Sequence, residues 1–272
     1  MLRIKRNERV VAMTRILSSH PNKIFTLNYF SELFYSAKST ICEDVAIIRD
    51  TFLEFKLGDL ETVAGASGGV KFIPLPSKLQ SLDFTKNLCE TLSQPDRILP
   101  GGFLYINDII YMPQIIQQLG EILAAHFMDM KPDFVITVET KGTPVAVMTA
   151  LSLGCPVVVA RRDSNVTEGP LVSINYVTAS SKRIQTMSLS KRAVKEGKKA
   201  LIVDDFMKGG GTAKGLQELL KEFNIDIVGT GVVIATKDPK SKLIKNYTPL
   251  MILDQVDEVE KKIIIDPAEW IF

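Results

Sequence analysis

Cysteine and histidine are scarce in this chain. Its 272 residues hold three cysteines, Cys42, Cys89 and Cys155, and two histidines, His20 and His126. They lie far apart, and neither histidine stands near a cysteine. A zinc site or a disulfide framework therefore has no ligand spacing to rest on, and the three thiols read as small buried hydrophobes. Aromatic residues make up 7%, with a single tryptophan, Trp270, which reads as a packing anchor. No apolar run approaches the roughly 18 residues of a membrane span. The start, MLRIKRNERVVAM, lacks the apolar segment and small-residue cleavage site of a secretion signal, so a cytoplasmic protein without a membrane partner is expected. There is no GxxxxGK[ST] and no GxGxxG, which excludes a Walker loop and a dinucleotide fingerprint. An excess of one charge is nearly absent too: the net charge is +2.

What is present is ordinary globular composition, 46% hydrophobic and 24% charged, in a length that allows one large domain or two smaller ones. The small charge excess is unevenly placed. Residues 1–76 hold 10 Lys and Arg against 8 Asp and Glu, so the whole excess lies in that quarter. It is sharpest in the first 23 residues, where Arg3, Lys5, Arg6, Arg9, Arg15 and Lys23 face Glu8 alone. A basic arm of this kind points to a polyanion or to a solvated helix face.

Apolar spacing predicts helices over residues 7–20 (Val10, Met13, Leu17) and 27–35 (Leu27, Phe30, Phe34). A third is predicted to begin at Thr40 with a Thr40–Glu43 capping box and a stripe of Ile41, Val45, Ile48, Phe52 and Phe55. Two β-prone runs, Leu60–Val63 and Val70–Ile73, flank a Gly- and Ala-rich turn and predict a hairpin. Three helices and a hairpin are the order of a winged helix-turn-helix, with residues 36–39 as its turn and Pro74 and Pro76 at its end. One more helix is expected around Leu79–Leu92. From Phe103 onward strands and helices alternate. Near-continuous apolar runs such as DFVITV, CPVVVA, ALIVDD and IVGTGVVIAT predict a mainly parallel sheet covered on both faces, with ligands at the strands' C-terminal ends.

The segment ALIVDDFMKGGGTAKG carries the chemistry. If its strand ends at Val203, Asp204 and Asp205 lie at the tip, and Ala213 opens the next helix. Bare glycine amides can approach an oxyanion closely, and a helix N-terminus favours phosphate. Thr212 adds a hydroxyl and Lys208 a charge. Two carboxylates beside a phosphate cradle would repel it unless they serve another group. Vicinal ribose hydroxyls are such a group, because they donate where carboxylates accept. The combination describes a ribose 5-phosphate site.

LIVDDFMKGGGT resembles the binding motif for 5-phosphoribosyl 1-diphosphate (PRPP) of type I phosphoribosyltransferases. In that family the acids hold the ribose hydroxyls and the glycine-rich loop holds the 5-phosphate. Lys208 and Gly209 stand where two hydroxyl residues often precede the paired glycines. VETKGTP resembles the family's pyrophosphate loop, which assigns Thr140, Lys141 and Gly142. Arg161 and Arg162 in VARRD are either diphosphate ligands or surface charges. Residues 163–191 are either the family's mobile flap, closing with Ser180, Ser181, Lys182 and Arg183, or a solvated hairpin. A base-covering hood is expected near Phe103 and Tyr105 or at the C-terminus, but no base-reading set is evident in either place.

The two parts together resemble the purine operon repressors of Gram-positive bacteria. RNERVV, HPNK, AKSTICED, GGVKFIP, SINYV, RIQTMSL and DDFMKGGGT carry the likeness across nearly the whole chain. It implies a homodimeric regulator with a winged-helix domain at 1–76 and a phosphoribosyltransferase-like domain at 77–272. The regulator would bind double-stranded DNA at purine gene promoters and sense PRPP without consuming it. The effector site so implied comprises Asp204, Asp205, Phe206, Met207, Lys208, Gly209, Gly210, Gly211, Thr212, Thr140, Lys141, Gly142, Arg161, Ser180, Ser181 and Phe103. Arg3, Lys5, Arg6, Lys38 and Lys71 are expected on DNA phosphates, with Ser36, Ser39 and Thr40 near base edges. No catalytic residue, metal site or catalytic cofactor is assigned, and PRPP is the effector, with or without Mg2+. The alternative is an active purine phosphoribosyltransferase with an appended DNA-binding domain.

Overall fold

In the computed structural model the chain divides into two compact units, Met1–Ser77 with Leu151–Gly154, and Lys78–Ala150 with Cys155–Phe272. The structure describes residues 4–65, 68–162, 169–177 and 184–272. Arg3, Ser180, Ser181, Lys182 and Arg183 lie outside these residues.

The first unit is three helices and a hairpin: α1 (Arg6–Ser18), α2 (Leu27–Phe34), α3 (Lys38–Phe55), β1 (Asp59–Val63) and β2 (Gly69–Ile73), the strands antiparallel. Met13, Leu17, Phe30, Ile41, Ile48 and Phe52 close its core, as their spacing predicts. Three expectations fail on α3. It begins at Lys38, two residues early, with Ala37 at the N-cap and no side-chain cap, so the Thr40 capping box does not form. Glu43 is drawn away by Arg6, whose Nη2 donates to it at 3.1 Å. The reach-back by a glutamate occurs instead at α1, where the Lys5 N–H donates to Glu8 Oε2 at 2.8 Å. Phe55 is exposed, because the core closes at Phe52 against Phe72 and the helix runs a turn beyond it. Cys42 is exposed as well, being about 100° round the helix from Ile41.

The second unit opens with α4 (Lys78–Leu92), a two-residue strand pair β3 (Ile98–Leu99) and β4 (Phe103–Leu104), α5 (Asn107–Ile110) and α6 (Pro113–Phe127). The α/β part follows: β5 (Phe134–Val138), α7 (Gly142–Leu153), β6 (Val157–Ala160), β7 (Leu171–Val177), β8 (Ile184–Ser190), β9 (Lys199–Met207), α8 (Gly211–Lys221), β10 (Asp226–Thr236), β11 (Thr248–Asp257) and β12 (Lys262–Pro267). Six strands form one sheet in the order β12-β11-β10-β9-β5-β6, parallel except for the β11–β12 edge. Every residue of β5 is buried, and β9 and β10 are buried along most of their length, which is why their sequences lack polar alternation. The antiparallel β7–β8 hairpin stands outside this sheet. Its Tyr176, Met187 and Leu189 are buried with Ile136, Ile202 and Leu216, so its base belongs to the core. Burial pushes the Cys89 thiol up to about 12 and that of Cys155, half-buried, up to about 11. Trp270 anchors the C-terminus by donating its indole N–H to the Pro249 carbonyl at 2.5 Å.

Candidate functional site

The sheet's parallel strands end at a cavity of about 500 Å3 in the second unit. Residues 204–213 form one wall, and Lys141, Arg162 and Gln185 contribute from other elements. A second space of about 280 Å3 shares Asp204, Asp205, Lys141 and Arg162, and adds Glu139 and Thr140. A single cleft thus brings together the ALIVDD and VETKGTP segments, 60 or so residues apart in sequence, because β9 and β5 are neighbours in the sheet.

The strand does not end at Val203. β9 continues to Met207, held by β10 through Val232 opposite Asp204 and Ile234 opposite Phe206. Both aspartates are therefore buried within a strand rather than exposed at a tip. The Asp205 N–H donates to Asp204 Oδ1 at 3.0 Å. Burial, then the adjoining Asp205 charge, raises the Asp204 carboxyl well above the ordinary 3.8, against a pull from the Arg162 guanidinium. The site sets two adjoining acids on the cavity wall, and carboxylate oxygens accept from hydroxyl groups.

Residues 208–210 make the turn into α8, which starts at Gly211, two residues before Ala213. Gly210 has φ +78° at the N-cap, a conformation that disfavours any side chain. Thr212 stands in the helix's first turn, on the cavity wall. The amides of this turn and the positive end of α8 give the cavity its anion-binding side.

On the opposite side, α7 begins against the acids. A Cβ on Gly142 would come within 2.4 Å of Thr137 Oγ1 and 2.9 Å of Asp204 Oδ1, so only glycine lets the 139–142 turn come so close. The Glu139–Thr140 peptide in this turn is cis.

Of the arginine pair, the structure brings Arg162 to the cavity and not Arg161. Arg161 exchanges backbone hydrogen bonds with Ser188, and its guanidinium lies 3.8 Å from Glu139. On an extended chain its neighbour faces the other way. The Arg162 N–H donates to Glu139 Oε1 at 3.0 Å, so Glu139 organises both arginines. Gln185, absent from the sequence reading, reaches the cavity from β8 and accepts from the Tyr176 hydroxyl at 2.9 Å. Nothing in the sequence distinguishes it from any polar hairpin residue. Phe103 is in the wall as expected, 61% exposed, joined by Leu104 and Ile106.

In the first unit, Lys38 and Ser39 are exposed at the start of α3, while Ser36 and Thr40 are half-buried. The Ser36 hydroxyl donates to the Phe34 carbonyl at 3.1 Å. Lys5 is exposed. Two of the expected phosphate contacts have partners within the fold. Arg6 bonds Glu43 and Asp44, each at 3.1 Å, and Lys71 pairs with Glu61 at 3.1 Å. The sequence could not show this, because those acids come from α3 and β1.

Comparison with known proteins matches residues 5–74 to the bacterial purine repressor N-terminal domain and residues 107–267 to the phosphoribosyl transferase domain. The chain is 43% identical over 270 residues to the purine biosynthesis transcriptional repressor PurR of Bacillus subtilis, covering 99% of this chain and 95% of that protein. It is 39% identical over 260 residues to the purine biosynthesis transcriptional activator PurR of Lactococcus lactis, covering 96% of both. A xanthine phosphoribosyltransferase of Limosilactobacillus fermentum is 33% identical over 153 residues, 55% of this chain and 78% of its own. Among solved structures, adenine phosphoribosyltransferase from Saccharomyces cerevisiae superposes with a TM-score of 0.54 at 20% identity over 61% of this chain and 98% of its own, a likeness of fold. With an N-terminal repressor domain, a phosphoribosyl transferase domain and this identity along its whole length, the chain belongs to the PurR family of purine biosynthesis transcriptional regulators.

Proposed function

We propose that this regulator senses PRPP in the cavity at the end of β9 and does not consume it. The observation that carries the reading is the meeting of Asp204 and Asp205 with the amide-rich turn 208–212 and with Lys141 and Arg162 around one space. The acids receive the ribose hydroxyls. The turn and Thr212 receive the 5-phosphate. Lys141, Arg162 and the 139–142 turn face the diphosphate, for which a guanidinium fork is well matched. Among the described residues no group of three or more acids, histidines or cysteines could hold a metal ion. Any Mg2+ would enter with the ligand's diphosphate, as this ion commonly does.

The first unit binds double-stranded DNA at purine gene promoters through the start of α3, with Lys38 and Ser39 outward and the basic N-terminal arm on phosphates. The working form is a homodimer in the cytoplasm, with domains at 1–76 and 77–272. PRPP regulates by binding the DNA-competent and DNA-incompetent states with different affinity, since equal affinity would shift nothing. Gel shifts on a purine promoter with and without PRPP, at several salt concentrations, test this. An unchanged shift across saturating PRPP would sink the sensing reading.

One observation favours turnover: Phe103, Leu104 and Ile106 give the same cavity an apolar wall that a nucleobase could pack on. Incubation with Mg2+, PRPP and each nucleobase, followed by assay of released pyrophosphate, decides. Sustained release would replace the receptor with an enzyme.

A further inference from the structure

The loop between β10 and β11 carries four lysines, at 237, 240, 242 and 245. Lys237 pairs with Asp254, and Lys240 and Lys245 are exposed. Lys242 alone turns inward and is half-buried. Its Nζ donates to the Lys208 carbonyl at 2.6 Å, and to Thr236 Oγ1 and the Pro239 carbonyl at 3.4 Å each. An ammonium has three donors, and here all three meet neutral oxygens. Burial pushes its pKa below the ordinary lysine value. Thr236 Oγ1 donates to the Asp238 carbonyl at 2.5 Å and lies 3.3 Å from the Lys208 carbonyl, and the Leu243 N–H donates to the Gly209 carbonyl at 2.9 Å.

Both carbonyls of the Lys208–Gly209 stretch are thus drawn toward the 236–243 segment. In a planar trans peptide the next N–H points the opposite way. The amides of Gly209 and Gly210 are turned from that segment, and these two residues line the cavity. An ammonium on a peptide carbonyl also polarises the peptide and strengthens its N–H as a donor. Lys208 and Gly209 are the positions where hydroxyl side chains are wanting. An outside loop here supplies order that a hydroxyl side chain would otherwise give.

We propose that Lys242 is a positioning residue for the phosphate turn: it fixes the 208–210 peptides so that their amides hold the 5-phosphate of the ligand. The inference rests on the PRPP reading above and names what tunes it.

The test titrates wild type with PRPP, and wild type, Lys242→Met and Lys242→Arg with ribose 5-phosphate and, separately, with pyrophosphate, by calorimetry, with a thermal midpoint for each protein. Losing a charged hydrogen bond to the turn should weaken ribose 5-phosphate by about tenfold or more in Lys242→Met, with pyrophosphate changed by less than about twofold. Lys242→Arg keeps a cation and donors and should return to within about threefold of wild type. Ribose 5-phosphate binding unchanged in Lys242→Met overturns the proposal. So does an equal loss for both ligands, which would mark a general collapse of the site. If wild type binds neither PRPP nor ribose 5-phosphate, the PRPP reading falls and this inference with it. If wild type binds both and Lys242→Met matches it, only the role of Lys242 falls.

Discussion

Each unit buries an aspartate beside another charged residue, and the two neighbourhoods are opposite in kind. Asp44 in α3 is fully buried and receives Arg9 Nε at 2.8 Å and Arg6 Nε at 3.1 Å. Its charge is matched by cations of the same fold. Asp204 in β9 is nearly as buried, yet the charge that acts on it most is that of another acid, Asp205. Folding neutralises the first site and leaves the second with adjoining acids. The difference separates an acid whose charge is matched within its own unit from an acid whose charge is set against another acid.

The largest effect expected from breaking this comparison is in the first unit. Asp44→Ala leaves Arg9 buried without its partner, a change that typically destabilises by about 3–5 kcal/mol. Urea denaturation should show it, with DNA binding lost and PRPP binding kept. A loss under about 1 kcal/mol would mean that the pair is no more than a surface contact.

Next comes the double variant Asp204→Asn, Asp205→Asn. It should weaken PRPP by roughly a hundredfold, about 2.7 kcal/mol, and leave DNA binding in place. Its stability should not fall. A carboxyl whose folded pKa is raised favours the folded state at pH below its ordinary 3.8, and that contribution is lost as pH rises through the raised value. Asp204→Asn alone should therefore stabilise the apo protein at pH 8 more than at pH 4, read as thermal midpoints. A drop in midpoint at pH 8 would make Asp204 a structural acid like Asp44.

Gly142→Ala sharpens the contrast from the ligand side. Its methyl group meets Thr137 Oγ1 and Asp204 Oδ1, and overpacking of this sort costs about 1–3 kcal/mol. PRPP affinity should fall with stability while DNA affinity without PRPP holds. The smallest expected effect is Thr26→Ala, which removes the side-chain cap on the Tyr29 N–H of α2, worth about 1 kcal/mol. It should lower the first unit's stability and leave PRPP affinity unchanged.

Much of the fold was legible because burial writes a period into the sequence. Ile41, Val45, Ile48 and Phe52 keep helical spacing, and the apolar runs of β5 and β9 need no alternation between two covered faces. The glycine-rich turn was legible because three adjacent glycines have few uses other than close backbone approach. Less was legible where a choice depended on distant partners. Thr40 and Glu43 have the spacing of a capping box, but Arg6 from another helix takes Glu43. Arg161 and Arg162 are adjacent and chemically alike, and only the pairing of Arg161 with Ser188 shows which faces the cavity. Gln185 and Lys242 carry no local signal at all.

The sequence by itself determined the three helices and hairpin of the first unit, the main parallel strands of the second and the residue types at the end of β9. These follow from hydrophobic spacing, turn chemistry and local charge, all of which act within a few residues. Only the tertiary structure decided which charges are spent and which are kept. It set Asp44 among arginines and Asp204 beside an acid, and it drew Lys242 onto a turn 34 residues away. Charge pairing depends on distance in space, and the chain order does not contain that distance.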